Sequence, residues 1–419
     1  MERQEYGILA LLASVLVVSG LVFADIAPHV ADYIVLIAGA AGLIAAIVHR
    51  DAILAARQWW MLLLALVLLA LTLPFVYRGS ADVLPILALA PFLVVPGVAY
   101  LLTRNQTLLR PFALPLLCLF GAVAAVLLGL SEYIATGGAR VEVGNNPIHY
   151  GGIAVLLGFM ALTGICVGRS PWRVLFFLGP IAGMLAAVLS GSRGPLLGGM
   201  AMAVASMPML IFWYRRDWAL LLAIAVMVLG VPALALTFGS SMRAMTAFGE
   251  LTQVAQNALA GSTGTAAAVD VASAAPPDAI RVAMYKSALQ QFLDSPIFGQ
   301  GFGQILDLAR AASPGFPEMA TLEHLHSDIA DFAALGGLFG LLAYGLIIAA
   351  PLANLHFGNA KPTDRVVALG SAMLATGYLL LGLTNAMFGV LPQTVLFVLL
   401  LGYLIALRRN ADSLSTPPH

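Results

Sequence analysis

The sequence predicts an all-α polytopic membrane protein with about twelve transmembrane helices. Of its 419 residues, 61% are hydrophobic and only 10% are charged, whereas soluble domains carry about 25% charged residues. Apolar runs of membrane-spanning length recur along the chain. Such runs must be helical in lipid, because there the backbone has to satisfy its own hydrogen bonds. The net charge is near zero, so no nucleic-acid partner is expected.

The apolar runs define twelve predicted spans, at residues 6–24, 31–48, 59–77, 83–102, 111–130, 151–168, 173–189, 195–213, 218–238, 328–352, 366–386 and 388–407. The first run is interpreted as a span and not as a signal peptide, because its flank is not basic and no cleavage site follows. Pro85, Pro91 and Pro96 are expected to kink the fourth span. The turn between the seventh and eighth spans leaves a re-entrant segment open as an alternative.

Basic residues in the short loops predict the orientation. Most of the 20 Lys and Arg residues fall on the side that also holds both termini, which is therefore expected to be cytoplasmic. Two longer segments lie on the other side, at 131–150 and 239–327. The predicted organisation is thus a bundle of nine spans over 1–238 that contains the loop 131–150, an extracytoplasmic helical segment over 239–327, and three spans with a cytoplasmic tail over 328–419.

Within the long outer segment, residues 239–260 are expected to form a helix that carries Arg243, and residues 261–275 a mobile linker of small side chains. A further helix is predicted from an N-cap at Asp278 to Asp294. Arg281 would then lie in its first turn, where free N–H groups and a guanidinium suit a phosphate. A surface arginine is the competing interpretation, and Tyr285 one turn further on is either a substrate contact or an interface anchor.

Ionisable residues gather where the tenth span begins, in Glu323-His-Leu-His-Ser-Asp328, with Asp331 one turn later. Charges so close to a membrane are costly and suggest function. A histidine here can accept a proton from a sugar hydroxyl near neutral pH, with Glu323, Asp328 or Asp331 holding its other nitrogen. The alternative is a simple helix cap beside headgroup histidines. No metal site and no cofactor are expected, because the chain has no HExxH or CxxC spacing and no Asp-x-Asp pair.

Arg193 lies in the turn Ser190-Gly-Ser-Arg-Gly-Pro195, predicted at or inside the outer boundary. A guanidinium there is expensive without an anionic partner, and the flanking glycines let backbone N–H groups approach an anion closely. A structural ion pair is the competing interpretation.

These motifs resemble those of the O-antigen ligase, O-antigen polymerase and protein O-oligosaccharyltransferase superfamily. His326-Ser327, nine residues and then Gly337-Leu-Phe-Gly340 fit its H-[NSQ]-x9-G-x-x-G pattern. Arg281 followed by Asp294-Ser-Pro-Ile-Phe-Gly-Gln-Gly301 is similar to its run before the last outer helix, and the Arg193 turn is similar to its inner arginine turn. The run Asn146-Pro-Ile-His-Tyr-Gly151 resembles the ligase branch in particular.

The resemblance implies a GT-C-like fold in the bacterial inner membrane, with the active site at the periplasmic face. It implies a glycan donor on undecaprenyl pyrophosphate and a lipid A-core acceptor. His326 would be the general base, and Arg193 and Arg281 would bind the pyrophosphate. Weaker candidates for contact with sugar or phosphate are Arg140, His149, Tyr285 and His324.

Other functions remain open at this point. A polymerase would use a second lipid-linked glycan as the acceptor, and a protein oligosaccharyltransferase would use a Ser or Thr hydroxyl. A transporter or flippase is less favoured, because its spans should contain buried charges, and the predicted spans here contain almost none.

Overall fold

The computed structural model describes residues 2–167, 171–238, 276–316, 322–355 and 361–413. The described chain is helical and contains no β-strand. The predicted helix over 239–260 and the predicted linker over 261–275 lie outside these residues. The all-α polytopic architecture expected from the composition is confirmed.

The helices follow one another with short connections, and we number them in chain order. They are α1 Glu2–Val22, α2 Pro28–Val48, α3 Arg57–Val76, α4 Leu84–Ala88, α5 Val95–Thr103, α6 Ala113–Ala135, α7 Pro147–Ala161, α8 Leu178–Leu189, α9 Arg193–Tyr214, α10 Trp218–Phe238, α11 Pro276–Asp294, α12 Phe302–Ala312, α13 Asp328–Leu352, α14 Pro362–Gly382 and α15 Leu391–Ser413. Short 3-10 segments flank α4, α7 and α8.

Ten helical stretches within the described residues are long and apolar enough to cross a membrane. The other two predicted spans coincide with α1 and α10, whose apolar stretches Gly7–Val22 and Trp218–Met227 are shorter. Every predicted span therefore corresponds to a helical stretch, and ten of these stretches are long and apolar enough to cross a membrane. The connection between α8 and α9 is a turn of three residues and not a re-entrant segment.

Proline breaks the fourth span into pieces, as the sequence predicts. The stretch Ser80–Thr103 begins with a 3-10 turn at Ser80–Val83 before α4, and a second 3-10 turn at Ala90–Val94 separates α4 from α5. Each break lies near a proline, because proline lacks the N–H that would continue the helical ladder and its ring clashes with the preceding turn.

Burial separates the central helices from those that face lipid. Most side chains of α7 and α15 are fully buried, and α7 packs against α6 and α8. Large apolar side chains such as Ile37, Phe120 and Leu229 are instead exposed on α2, α6 and α10. In a chain of this composition, exposed aliphatic and aromatic surface of this kind suits contact with lipid tails.

Helix α13 is broken at Gly337, whose φ of 55° and ψ of −137° are not helical. The loop before α12 fills the break. Gln300 N and Gly301 N donate to the carbonyls of Ala334 and Leu335, and Leu338 N donates to Pro296 O at 2.8 Å. The backbone groups freed by the break are thus satisfied by a second segment, as buried polar groups require.

Helix α11 differs in one detail from the prediction. Its described part begins at Pro276, so Asp278 is inside the helix and is not its N-cap. Arg281 consequently lies beyond the first turn, and the free N–H groups of the helix start do not explain its position. Met284 and Ala288 of this helix are buried, whereas Leu289 is exposed.

Candidate functional site

His326 lies in an unusual backbone conformation just before α13. Its φ of 57° is in the left-handed region, which non-glycine residues seldom adopt. Packing and two hydrogen bonds hold this segment. Leu325 is fully buried, Leu325 N donates to Asp331 Oδ1 at 2.8 Å, and His326 N donates to His324 Nδ1 at 3.2 Å. Backbone strain that is held in place by its surroundings often marks a functional residue.

The two imidazoles of this segment pack together. The rings of His324 and His326 lie 4.4 Å apart in an edge-to-face arrangement. Because His324 Nδ1 accepts the backbone N–H of His326, a neutral His324 carries its proton on Nε2. The side chains of His324 and His326 are both half-buried, so they remain partly accessible.

The protonation state of both histidines follows from burial. Burial, and then the neighbouring His324 and Arg281, hold the pKa of His326 well below its usual range, although Asn385 opposes this shift. Burial and the neighbouring His149 likewise lower the pKa of His324. Both imidazoles are therefore neutral near pH 7, which is the form that can accept a proton.

The carboxylates near His326 do not hold its ring. Asp328 Oδ1 accepts backbone N–H bonds from Met387 at 2.9 Å and Phe388 at 3.1 Å, and Asp331 accepts from Leu325 N. Glu323 is exposed. Ser327 occupies the N-cap position of α13 but makes no side-chain cap hydrogen bond. The expectation that an acidic side chain fixes the imidazole tautomer is not met among the described residues, because His326 Nδ1 has no hydrogen-bond partner, and Asp328 Oδ2 is likewise buried without one.

Helix α11 brings Arg281 and Tyr285 to the same place. The Tyr285 hydroxyl reaches His326 O at 3.4 Å and Leu383 O at 3.2 Å. Arg281 is near enough for its charge to lower the pKa of both His326 and Tyr285, although burial raises the pKa of Tyr285 overall. No carboxylate lies within ion-pair distance of Arg281 in the described chain.

Arg193 is the first residue of α9 and follows the tight turn Ser190–Ser192. The turn depends on Gly191, whose φ is 61°. Arg140 braces it: Arg140 Nε donates to Ser190 O, and a terminal nitrogen donates to Ser192 Oγ, each at 2.9 Å. The guanidinium of Arg140 is thus engaged with the protein, and its position is that of a support for Arg193.

His149 joins the group from the first turn of α7. Asn146 caps that helix through its side-chain oxygen, which accepts from Ile148 N at 2.9 Å. Further along α7, Gly151 packs closely on the connection between α8 and α9, since a Cβ at Gly151 would lie 2.8 Å from Ser190 Oγ. The ligase-like run from Asn146 to Gly151 therefore lies beside the arginine turn.

The loop between α14 and α15 is a part of the site that sequence reasoning missed. Asn385 is buried beside His326, and Thr384 lies against the start of α9, where a Cβ at Gly194 would come within 2.5 Å of Thr384 Oγ1. No sequence motif points to this loop. Its apolar flanks make it look like a plain turn between two spans.

The predicted residues thus meet at one end of the bundle, which we call the site end. His326, His324, His149, Arg281 and Tyr285 influence one another directly, and Arg193 reaches the same loop through its neighbour Gly194. Over the residues that the structure describes, no group of three or more His, Cys, Asp or Glu side chains is arranged to hold a metal ion.

Comparison with known proteins is consistent with this arrangement. Residues 174–345 match the family model described as O-Antigen ligase. The match contains Arg193, Arg281 and His326, whereas Arg140, His149 and Asn385 lie outside it. No curated protein matches the sequence. The match over residues 174–345 makes this multi-pass membrane protein similar to the O-antigen ligase family and supports glycosyl transfer of that type.

Proposed function

We propose that this protein transfers an O-antigen glycan from undecaprenyl pyrophosphate to a hydroxyl of the lipid A-core. One observation carries the proposal more than any other. A neutral, partly accessible imidazole at His326 is held in a rare backbone conformation beside Arg281, which has no carboxylate partner within the described chain. A base next to a positive charge fits the transfer of sugar from a diphosphate.

The proposed reaction is a single displacement with inversion. His326 accepts the proton of the acceptor hydroxyl, and the hydroxyl oxygen forms a bond to the anomeric carbon of the donor sugar. The bond from that carbon to the pyrophosphate oxygen breaks, and undecaprenyl pyrophosphate leaves with the bonding electrons. It leaves as an anion, so it needs positive charge and not a proton.

Arg193 and Arg281 are the proposed diphosphate ligands. A guanidinium can grip two phosphate oxygens at once, and two of them can neutralise charge that a metal ion would otherwise neutralise. We therefore propose a metal-independent reaction without a cofactor, and transfer should survive EDTA. His149, His324 and Tyr285 would contact the glycan or the phosphates at the edge of the site, and Arg140 would hold the Arg193 turn in place.

The proposed location is the bacterial inner membrane, with both termini in the cytoplasm and the site at the periplasmic face. The lipid bilayer is then a direct partner, since donor and acceptor are both lipid-anchored. The positive-inside distribution of Lys and Arg supports this orientation. A cysteine introduced at exposed Glu323 should react with a membrane-impermeant thiol reagent in intact spheroplasts, and one at exposed Arg215 should not.

Reconstitution with defined substrates tests the activity. Purified protein is incubated with labelled lipid-linked donor, with or without lipid A-core. Label that moves to the core supports the ligase. Growth of the donor chain without core would instead identify a polymerase, and label on a Ser- or Thr-containing protein would identify an oligosaccharyltransferase. Movement of donor across the bilayer with no transfer to any acceptor would favour a flippase and overturn the proposal.

A further inference from the structure

The loop from Leu383 to Val390, which joins α14 to α15, contacts each part of the proposed site. Leu383 O accepts from the Tyr285 hydroxyl at 3.2 Å. Thr384 packs on Gly194 at the start of α9. Asn385 faces His326. The loop lies outside the family match, so nothing in that match assigns it a role.

Asp328 fixes this loop firmly. Its Oδ1 accepts the backbone N–H groups of both Met387 and Phe388. The Phe388 ring then stacks on Tyr378 at 5.0 Å and packs edge-on against Phe397 at 5.2 Å. The position of Asn385 is therefore set by a buried carboxylate two residues after His326 and by an aromatic cluster, and not by chance packing.

Asn385 and His326 each carry a buried polar atom without a partner, and their segments approach one another, since the Tyr285 hydroxyl reaches both His326 O at 3.4 Å and Leu383 O at 3.2 Å. His326 Nδ1 is buried and has no hydrogen-bond partner, and the same is true of Asn385 Oδ1. These atoms belong to two side chains that interact with each other. An unpaired buried donor or acceptor destabilises the folded state, because it has lost its hydrogen bonds to water. A side-chain rotation that pairs the two atoms would satisfy both of them, and catalytic hydrogen bonds often tighten only when substrate is bound.

We infer that Asn385 is a positioning residue for His326: its amide oxygen accepts the Nδ1–H of the imidazole and so keeps the lone pair on Nε2. This inference rests on the proposed role of His326 as the base. The Nε2 side of the half-buried ring is then the side that meets the acceptor hydroxyl. The same logic operates where a third side chain orients the histidine of a catalytic triad.

An Asn385–His326 pair is compatible with Asp328 and Asp331 accepting backbone N–H groups instead of the imidazole. A carboxylate on Nδ1 would stabilise the protonated imidazole and raise its pKa, whereas a neutral amide fixes the tautomer with a much smaller effect. The base therefore stays neutral and ready at neutral pH. His324 on its own segment, His149 on α7 and Arg281 on α11 are the titratable or charged groups that act on His326. Tyr285 approaches its carbonyl oxygen, and Asp328 and Asp331 follow it on α13.

Three variants test the inference in the full-length protein. Asn385→Ala should lower kcat by about 10–100-fold, the scale for losing the partner that orients a functional histidine, with the KM for donor within about twofold. Asn385→Asp places a carboxylate at Nδ1. It should move the acid limb of the pH–rate profile to higher pH while retaining more kcat than Asn385→Ala. Asn145→Ala, an asparagine in the other outer loop, is the matched control and should change neither kcat nor the profile.

The outcomes separate two kinds of failure. If the wild type transfers no glycan at all, the proposed function fails first. If the wild type is active and His326→Asn is inactive, but Asn385→Ala keeps wild-type kcat, the positioning role alone is wrong. An Asn385→Asp profile identical to wild type would also overturn it. Should Asn385→Ala fold poorly, the pH profile of the near-isosteric Asn385→Asp variant still decides.

Discussion

The partners of the charged side chains differ between the two ends of the bundle. At the end away from His326, which we call the opposite end, arginines pair with aspartates. Arg408 lies 3.2 Å from Asp364, Arg409 and Arg104 both approach Asp51, and Arg173 pairs with Asp217. These ion pairs join the ends of helices that are far apart in sequence, so they tie the bundle together.

At the site end, three aspartates accept backbone N–H groups instead, although Arg310 and Asp307 on the exposed part of α12 form an ion pair at 2.9 Å. Asp328 holds the α14–α15 loop, Asp331 holds Leu325, and Asp82 accepts from Arg78 N and Gly303 N, each at 2.8 Å. No carboxylate within the described chain pairs with Arg281. These three aspartates therefore shape the site while Arg281 keeps no acidic partner within the described chain, an arrangement that suits the anionic donor proposed above.

The strongest test of this comparison is His326→Asn. Asparagine tolerates the left-handed backbone but cannot act as the base. Transfer should fall by about 10²–10⁴-fold, the usual contribution of general base catalysis. The control is His29→Asn, which changes an exposed histidine at the start of α2, also at the site end. If both variants transfer glycan at rates within about threefold of wild type, His326 is not the base.

Arginines at the two ends should respond differently to substitution. Arg281→Ala should lower kcat by about 10²–10³-fold, the scale for one fixed contact to developing negative charge, and Arg281→Lys should restore only part of it because lysine lacks the planar fork. Arg408→Ala at the opposite end should lower the Tm and leave the rate per folded molecule unchanged. Equal losses of rate in both variants would contradict the division between the two ends.

The break in α13 offers a test within a single helix. A Cβ at Gly337 would lie 2.7 Å from Ile297 C, and the φ of 55° is already unfavourable for alanine. Gly337→Ala should cost about 1–3 kcal/mol of stability and slow transfer by disturbing the helix that follows His326. Gly345→Ala, in the same helix with open space around it, should leave Tm equal or slightly higher. Thermal unfolding in detergent measures both.

Spans and site differ in how far the sequence predicts them. Each span was recognisable because lipid imposes helix on a long apolar run regardless of its neighbours. The breaks at Pro85, Pro91 and Pro96 were equally local, since each proline acts on its own turn. The assignment of His326, Arg281 and Arg193 to one site was made through a family resemblance and not from spacing, and it stays a prediction.

The remaining features of the site depend on segments that are distant along the chain. Nothing local distinguishes Asp331, which holds a backbone N–H, from an aspartate that would hold an imidazole. Asn385 lies in a different connection from His326, and only packing brings them together. The glycine pattern Gly337–Gly340 was visible, but its physical purpose was not, because the break is completed by residues 296–301.

The smallest expected effect is that of Asp51→Asn at the opposite end. Burial alone would raise the pKa of Asp51, but hydrogen bonding to Arg409 and to Ile53 N, with the charges of Arg409 and Arg104, lowers it overall. The ionised group therefore stabilises the fold above its unfolded pKa of about 3.9, and this contribution disappears as the pH falls through the lowered value. Asp51→Asn should cost roughly 1 kcal/mol or less at pH 7, and the difference in Tm should narrow only below about pH 4, between the unfolded pKa of aspartate and the lowered pKa of Asp51. The rate of glycan transfer should not change, because these charges already neutralise one another and face away from the substrate. A variant of normal stability with impaired transfer would mean that the opposite end also takes part in the reaction.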